Sequence, residues 1–173
     1  MVEMMHSEER YYIENEYATG FLKPFKNEKY YFVGILPKEK GIKEASVLDL
    51  DGLLKTKKET TVYVGIPKFT IESNTDLSTL YSKYGIKDIF NTRGNFHQMT
   101  ELDTHVSKMY QKEYLNIGEY GTVNSNTKTA SLSTRTFDNT NYRVILNRPF
   151  IFLIINAETN EVLMIGYYNN PII

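Results

Sequence analysis

Gly118-Glu-Tyr-Gly-Thr-Val-Asn-Ser-Asn-Thr-Lys-Thr-Ala-Ser-Leu-Ser-Thr-Arg-Thr-Phe-Asp-Asn-Thr-Asn141 is a run made almost entirely of Asn, Ser, Thr and Gly. It holds one small apolar island, Ala130 and Leu132, and one arginine, Arg135. Structureless connections longer than about 12–15 residues are uncommon in compact domains and tend to be functional or disordered. Before the run, His105-Val-Ser-Lys-Met-Tyr-Gln-Lys-Glu-Tyr-Leu-Asn-Ile117 alternates like a strand. After it come Tyr142-Arg-Val-Ile-Leu146 and Arg148-Pro-Phe-Ile-Phe-Leu-Ile-Ile155, the most apolar stretch of the chain. The rest of the chain is therefore read as a scaffold that holds up a loop of about residues 118–141.

Working outward, the scaffold reads as mostly strand. Tyr11-Tyr-Ile13 is a short strand candidate, and Glu16 to Phe25 a second, ended by Pro24. Tyr30-Tyr-Phe-Val-Gly-Ile-Leu36 is a continuous apolar run of strand length, which suits burial on both faces. The turn Lys26-Asn-Glu-Lys29 makes the last two an antiparallel hairpin. Ser46 to Leu54 has apolar residues at 47, 50, 53 and 54, a helical spacing, although Gly52 weakens it by about 1 kcal/mol relative to Ala. Thr60 to Ile66 and Phe69-Thr-Ile71 are strand-rich around Pro67, which predicts a bend between two segments. Asn74 or Thr75 caps a helix over Asp76–Tyr84, stopped by Gly85. Phe150–Ile155 and Glu161–Tyr168 form a hairpin around Asn156-Ala-Glu-Thr-Asn160. The fold class is α+β, mostly antiparallel strand in more than one sheet, with a few short helices.

Composition excludes several functions. Lys and Arg number 20 against 21 Asp and Glu, so no basic footprint for nucleic acid is present. Cysteine is absent, which removes disulfides, thiol catalysis and cysteine metal sites together. His6, His97 and His105 lie far apart without ligand partners at helical spacing, so no metal site is expected. No phosphate loop or nucleophile elbow occurs. No enzyme activity and no cofactor are expected. No apolar run reaches membrane-spanning length, and the N-terminus lacks the apolar core of a signal peptide.

Three segments carry a family resemblance. Val62-Tyr-Val-Gly-Ile-Pro-Lys-Phe-Thr-Ile-Glu-Ser73, followed by Asp76-Leu77, Leu80, Gly85-Ile86 and Phe90, resembles a strand–helix–turn pattern of the serpins, the serine protease inhibitors. Val106-Ser-Lys108 through Glu119-Tyr-Gly-Thr122 resembles the serpin strand that runs into the reactive-loop hinge. Asn147-Arg-Pro-Phe-Ile-Phe-Leu-Ile154 through Gly166 and Asn170-Pro171 resembles the serpin C-terminal signature. Met4-Met5 and Leu36-Pro-Lys-Glu39 are also similar to the family. The resemblance implies one serpin-like domain over 1–173, equivalent to the C-terminal half of the serpin fold. It implies a truncated or degenerate member, a fragment of the family's chain.

The resemblance also implies a mechanism. A protease takes the exposed loop as bait, and the cleaved loop then enters a sheet as an extra strand. Gly118, Glu119, Gly121 and Thr122 match the hinge. Counting from Gly121 by the family's spacing reaches Arg135, so Arg135–Thr136 is the candidate reactive bond and a trypsin-like serine protease the partner. Counting back from Pro149 reaches Asp138 instead. In the inserting segment Asn124, Asn126 and Lys128 share one face with Thr122, where the family's inhibitors favour small residues. Gln111 stands where the family has a histidine. Lys68 and Glu119 match a pair that meets where the loop begins to insert. The family implies an extracellular setting, while the chain's own start leaves a cytoplasmic one open. The alternative reading is a non-inhibitory binding or assembly module that self-associates through exposed strand edges.

Overall fold

The computed structural model describes residues 3–38, 49–119, 121–122, 142–169 and 171. Its strands in chain order are β1 (Met4–Glu14), β2 (Ala18–Pro24), β3 (Tyr30–Pro37), β4 (Lys58–Pro67), β5 (Phe69–Asp76), β6 (Tyr110–Gly118), β7 (Gly121–Thr122), β8 (Tyr142–Ile145), β9 (Phe150–Asn156) and β10 (Val162–Tyr168). The helices are α1 (Leu50–Lys55) and α2 (Leu77–Lys83), with a short 3-10 turn at Asp88–Phe90. One sheet has seven strands in the order β10-β9-β3-β2-β1-β4-β8, and a second has three in the order β5-β6-β7. The chain divides into two compact units, Met1–Phe69 with Ile117–Ile173, and Thr70–Asn116.

In the first unit the apolar runs become the middle of the large sheet. β3 lies between β2 and β9, with Phe32 to Pro37 buried, as a continuous apolar run requires. Both tight hairpins form: Ala18↔Pro37 to Pro24↔Tyr31, and Val162↔Ile155 to Tyr168↔Phe150. In the second hairpin Asn156 Oδ1 accepts from the backbone N–H of Glu158 at 2.9 Å and of Thr159 at 3.2 Å. Asn160 then takes φ 57°, a left-handed angle that asparagine tolerates.

The sheet packs on both faces. On one, Ile13, Ala18, Leu22, Val33, Ile35, Ile151, Leu153 and Ile155 surround Leu53 of α1. Asp49 caps α1 by accepting from Gly52 N–H at 2.9 Å. A Cβ at Gly52 would lie 2.1 Å from Asp49 Oδ2, so the glycine that weakened the helix reading is the residue that leaves room for the cap. Residues 46–48 of that reading lie outside the described residues. On the other face aromatic rings fill the space: Phe32 and Phe152 stack at 6.1 Å, and Phe69 meets Phe150 and Phe152, each at 5.6 Å.

β1 is eleven residues long rather than the short Tyr11–Ile13 strand. Its polar half is strand because it pairs antiparallel with β4, Met4↔Pro67 to Glu9↔Val62. The buried carboxylate of Glu9 is satisfied by the Ser7 hydroxyl at 2.6 Å and by the Lys23 ammonium. Pro67 ends β4 beyond its pairing with β8, which covers Val62 to Gly65 only, so no ladder bond is missed there. β8 runs parallel to β4, from Val62↔Tyr142 to Gly65↔Ile145.

In the second unit, β5 and β6 are neighbours, and Asn116 Nδ2 donates to Thr70 Oγ1 at 2.7 Å. The helix expected over Asp76–Tyr84 is α2, capped by Asp76 rather than by Asn74 or Thr75, whose positions are still strand. Gly85, at φ 90°, ends it. The alternation from His105 becomes strand only from Tyr110.

Candidate functional site

Lys68 stands in the single-residue gap between β4 and β5. Its backbone N–H donates to Glu3 O at 2.8 Å, which continues the β1–β4 ladder by one bond and fixes where the side chain starts. The Lys68 ammonium then reaches two carboxylates, Glu119 Oε1 and Glu3 Oε1, each at 2.7 Å. The hydrogen bond to Glu119, and next that to Glu3, raise the Lys68 pKa above the ordinary lysine value. Lys68 and Glu119 are partly exposed and Glu3 largely so.

Glu119 immediately follows β6. Ile117 and Gly118, the last residues of β6, pair antiparallel with Thr122 and Gly121 of β7. The chain therefore reverses between Gly118 and Gly121, and Gly121 and Thr122, two of the expected hinge residues, form the first rungs of a strand beside β6. The structure thus brings together Gly118, Glu119, Gly121, Thr122 and Lys68. Arg135, Thr136, Asn124, Asn126 and Lys128, with Asp138, lie outside the described residues.

Two features of this region had no signal in the sequence. Glu3 sits in a polar, Glu-rich start, and only its register opposite the end of β4 makes it a second partner of Lys68. Arg148 donates through Nη1 to Pro37 O, tying the entry of β9 to the end of β3. Among the described residues no three His, Cys, Asp or Glu are grouped to hold a metal ion. Among them, too, no helix is long and apolar enough to cross a membrane.

A short return strand, β7, laid antiparallel on β6, and a further strand, β8, laid parallel on β4, are the features that the described residues offer for comparison. Comparison with known proteins names the class. The sequence model of the family Serpin (serine protease inhibitor) matches residues 1–171, and the chain belongs to the serpin family. Serpin B10 of Sorex araneus is 29% identical over 180 aligned residues, covering 99% of this chain and 45% of its own length. Glia-derived nexin of Homo sapiens is 31% identical, covering 91% of this chain and 41% of its own. Among solved structures, the thermophilic serpin tengpin in its native state superposes with a TM-score of 0.83 at 31% identity, over 98% of this chain and 46% of that one. Thyroxine-binding globulin in complex with thyroxine superposes with a TM-score of 0.80 at 26% identity, over 98% of this chain and 46% of that one.

These matches correct the expectation of a C-terminal half and the term fragment. The family's sequence model runs through nearly the whole chain, from residue 1 to residue 171. The physical reason is that residues 4–37 supply three adjacent inner strands, β1, β2 and β3, of the large sheet. The chain spans a little under half the length of the solved serpins it matches. Serpins are inhibitors and binding proteins rather than enzymes, which agrees with a sequence that carries no catalytic constellation.

Proposed function

We propose that this chain presents its loop as bait to a trypsin-like serine protease, with Arg135–Thr136 as the reactive bond and Gly118, Glu119, Gly121 and Thr122 as the hinge. The observation that carries the reading is the antiparallel start of β7 on β6, with Glu119 anchored to Lys68. A strand that has begun can be extended by the residues that follow. The extracellular setting implied by the family belongs with this reading.

The inserting segment sets the outcome. Continuing the register of Gly118↔Gly121 and Ile117↔Thr122 along β6 brings Asn124 opposite Leu115, Asn126 opposite Glu113 and Lys128 opposite Gln111. Leu115 is buried, whereas Gln111 is exposed. Asn124 is thus the principal obstacle, because an unpaired buried amide costs about 1–3 kcal/mol. Lys128 can stay in water. Slow insertion makes the chain a substrate rather than a trap.

The test is incubation with trypsin, followed by a denaturing gel and mass spectrometry. A single early cut after Arg135, without a gel-stable complex, is expected, and Asn124→Ala shifts part of the product into such a complex. An early cut elsewhere, or a loop left intact, refutes Arg135 as bait. A stable complex with the unaltered chain refutes the arrest at Asn124. A second reading, an assembly module working through strand edges, is favoured by one observation: among the described residues β10 is an end strand with Leu163, Ile165 and Tyr167 exposed.

A further inference from the structure

β8 begins at Tyr142, and its second residue is another arginine, Arg143. A trypsin-like protease recognises arginine, so the sequence offers it two baits eight positions apart, Arg135 and Arg143. Exposure does not rule out the second one, because the Arg143 side chain faces solvent. What sets Arg143 apart is how the start of β8 is held.

β8 pairs with β4 over only four residues, from Val62↔Tyr142 to Gly65↔Ile145. Its later part is fixed by burial: Val144 is 1% exposed and Leu146 0%, and the Leu146 N–H donates to Gly65 O at 2.8 Å. Its first two residues are gripped by side chains instead, one on each face of the sheet, since successive side chains of a strand point to opposite faces. On the face of Val62 and Val144, the Tyr142 ring lies against the buried Tyr12 ring of β1, with centres 4.5 Å apart. The Tyr142 hydroxyl accepts a hydrogen bond from the Lys58 ammonium of β4 at 2.7 Å. On the other face the Arg143 guanidinium sits 5.0 Å from the centre of the Tyr63 ring, within the range of cation–aromatic attraction. His6 of β1 stacks on the same ring at 5.5 Å and only 10° from parallel. Because β4 lies between β1 and β8, His6 and Arg143 approach Tyr63 from opposite strands.

A protease cleaves extended backbone that has left its ladder, with the arginine side chain seated in the enzyme's own pocket. Cleavage after Arg143 therefore requires the start of β8 to leave β4 and the guanidinium to leave Tyr63. We propose that the two grips withhold Arg143 from the protease and so direct cleavage to Arg135. Tyr142, Tyr12, Lys58, Tyr63 and His6 act as positioning residues that give the chain one bait rather than two. The proposal deepens the bait reading above and rests on it for the cut after Arg135. Where reclosing is fast, proteolysis follows the population of the locally opened form, so a lost grip is read as faster cutting.

Brief trypsin digestion of the 173-residue chain, read by mass spectrometry, tests this. Far-UV circular dichroism and an uncut Arg10–Tyr11 bond, inside β1 between β2 and β4, are the folding controls. The unaltered chain is expected to show no early cut after Arg143. Lys58→Met with Tyr63→Leu removes a partner on each face and is expected to speed that cut at least about tenfold. Tyr63→Phe keeps the ring and is expected to leave the bond resistant. An early cut after Arg143 in the unaltered chain, or a folded double variant that resists equally, overturns the proposal. A Tyr63→Phe chain cut as fast as the double variant overturns the role of the ring. If the double variant fails the folding controls, Lys58→Met alone, at an exposed position, is expected to speed amide exchange in β8 while β3 stays protected; unchanged exchange in β8 overturns the grip on Tyr142. A bond after Arg135 that is never cut, beside a double variant that opens at Arg143, refutes the bait reading and upholds the grips.

Discussion

Replacing Gly166 with alanine isolates one contact that shapes the aromatic face of the sheet. Gly166 pairs directly with Phe152. A Cβ added there would lie 2.1 Å from Phe152 Cζ and 2.4 Å from Cε1. Carbon atoms settle about 3.5–4.0 Å apart, so the overlap is roughly 1.5 Å. The ring cannot swing aside freely, because Phe152 is 2% exposed, stacked on Phe32 and tilted against Phe69. Overpacking of this kind costs about 1–3 kcal/mol, and an overlap so large belongs at the top of the range. Alanine also loses less chain entropy than glycine on folding, which returns about 0.4–1 kcal/mol. The net expectation is a loss of about 2 kcal/mol. With a urea slope of roughly 2 kcal/mol/M, the midpoint falls by about 1 M. Urea titration followed by circular dichroism and tyrosine fluorescence reads this directly, since the chain has no tryptophan. Phe152→Leu shortens the obstructing group, and in that background Gly166→Ala is expected to lose at least about 1 kcal/mol less. A midpoint unchanged by Gly166→Ala, or an equal loss in both backgrounds, refutes the steric account.

Other consequences concern charge. Lys23→Met leaves the buried Glu9 carboxylate with Ser7 alone; breaking a fully buried pair costs about 3–5 kcal/mol, and the 41% exposure of Lys23 reduces this to roughly 1–2. Glu9→Gln should cost clearly less in the same urea assay, because the stranded lysine can reach water. Asp76 is held below the ordinary aspartate value by hydrogen bonds, first from the Ser78 side chain. Its contribution is therefore full above the unfolded value of about 3.9 and is lost as pH falls through the lower folded one. Amide exchange at Ser78 and Thr79 should accelerate in that acid window, and Asp76→Asn should remove the step. The raised Lys68 pKa has the opposite sign: its anchor persists below the ordinary lysine value, about 10.4, and is lost only as pH climbs through the higher folded one. Glu119→Gln should speed exchange of the Thr122 amide at neutral pH, whereas Glu3→Gln should change it less; equal effects would show that Glu119 is not the principal anchor.

What the sequence revealed depended on whether the information was local. β3 and β9 are apolar throughout because both their faces are covered, and their hairpin turns carry Asn at the positions that geometry favours. β1 was hidden because Met4-Met-His-Ser-Glu-Glu9 shows no apolar–polar alternation, and only β4, more than fifty residues away, makes these residues strand. The parallel pairing of β8 with β4 leaves no trace in either segment. Lys68 and Glu119 became visible together through family resemblance, since nothing in a single chain links two charges fifty-one positions apart. Gly166 did carry a local signal: a glycine inside a strand marks a close approach. Its partner, Phe152, emerged only from the register.

The pairing of β8 with β4, and of β9 with β3, bears on what a cut after Arg135 would look like. Hydrolysis after Arg135 would leave residues 136–173 as a separate peptide holding three strands. β8 is laid against β4, while β9 is locked between β3 and β10 with Phe150, Phe152 and Leu153 buried. The severed peptide could leave only by breaking the β9–β3 and β8–β4 ladders at the two ends of the sheet and uncovering its buried aromatic face. The nicked protein would thus migrate as one particle under native conditions and separate into two pieces only in denaturant, a covalent break without a physical departure.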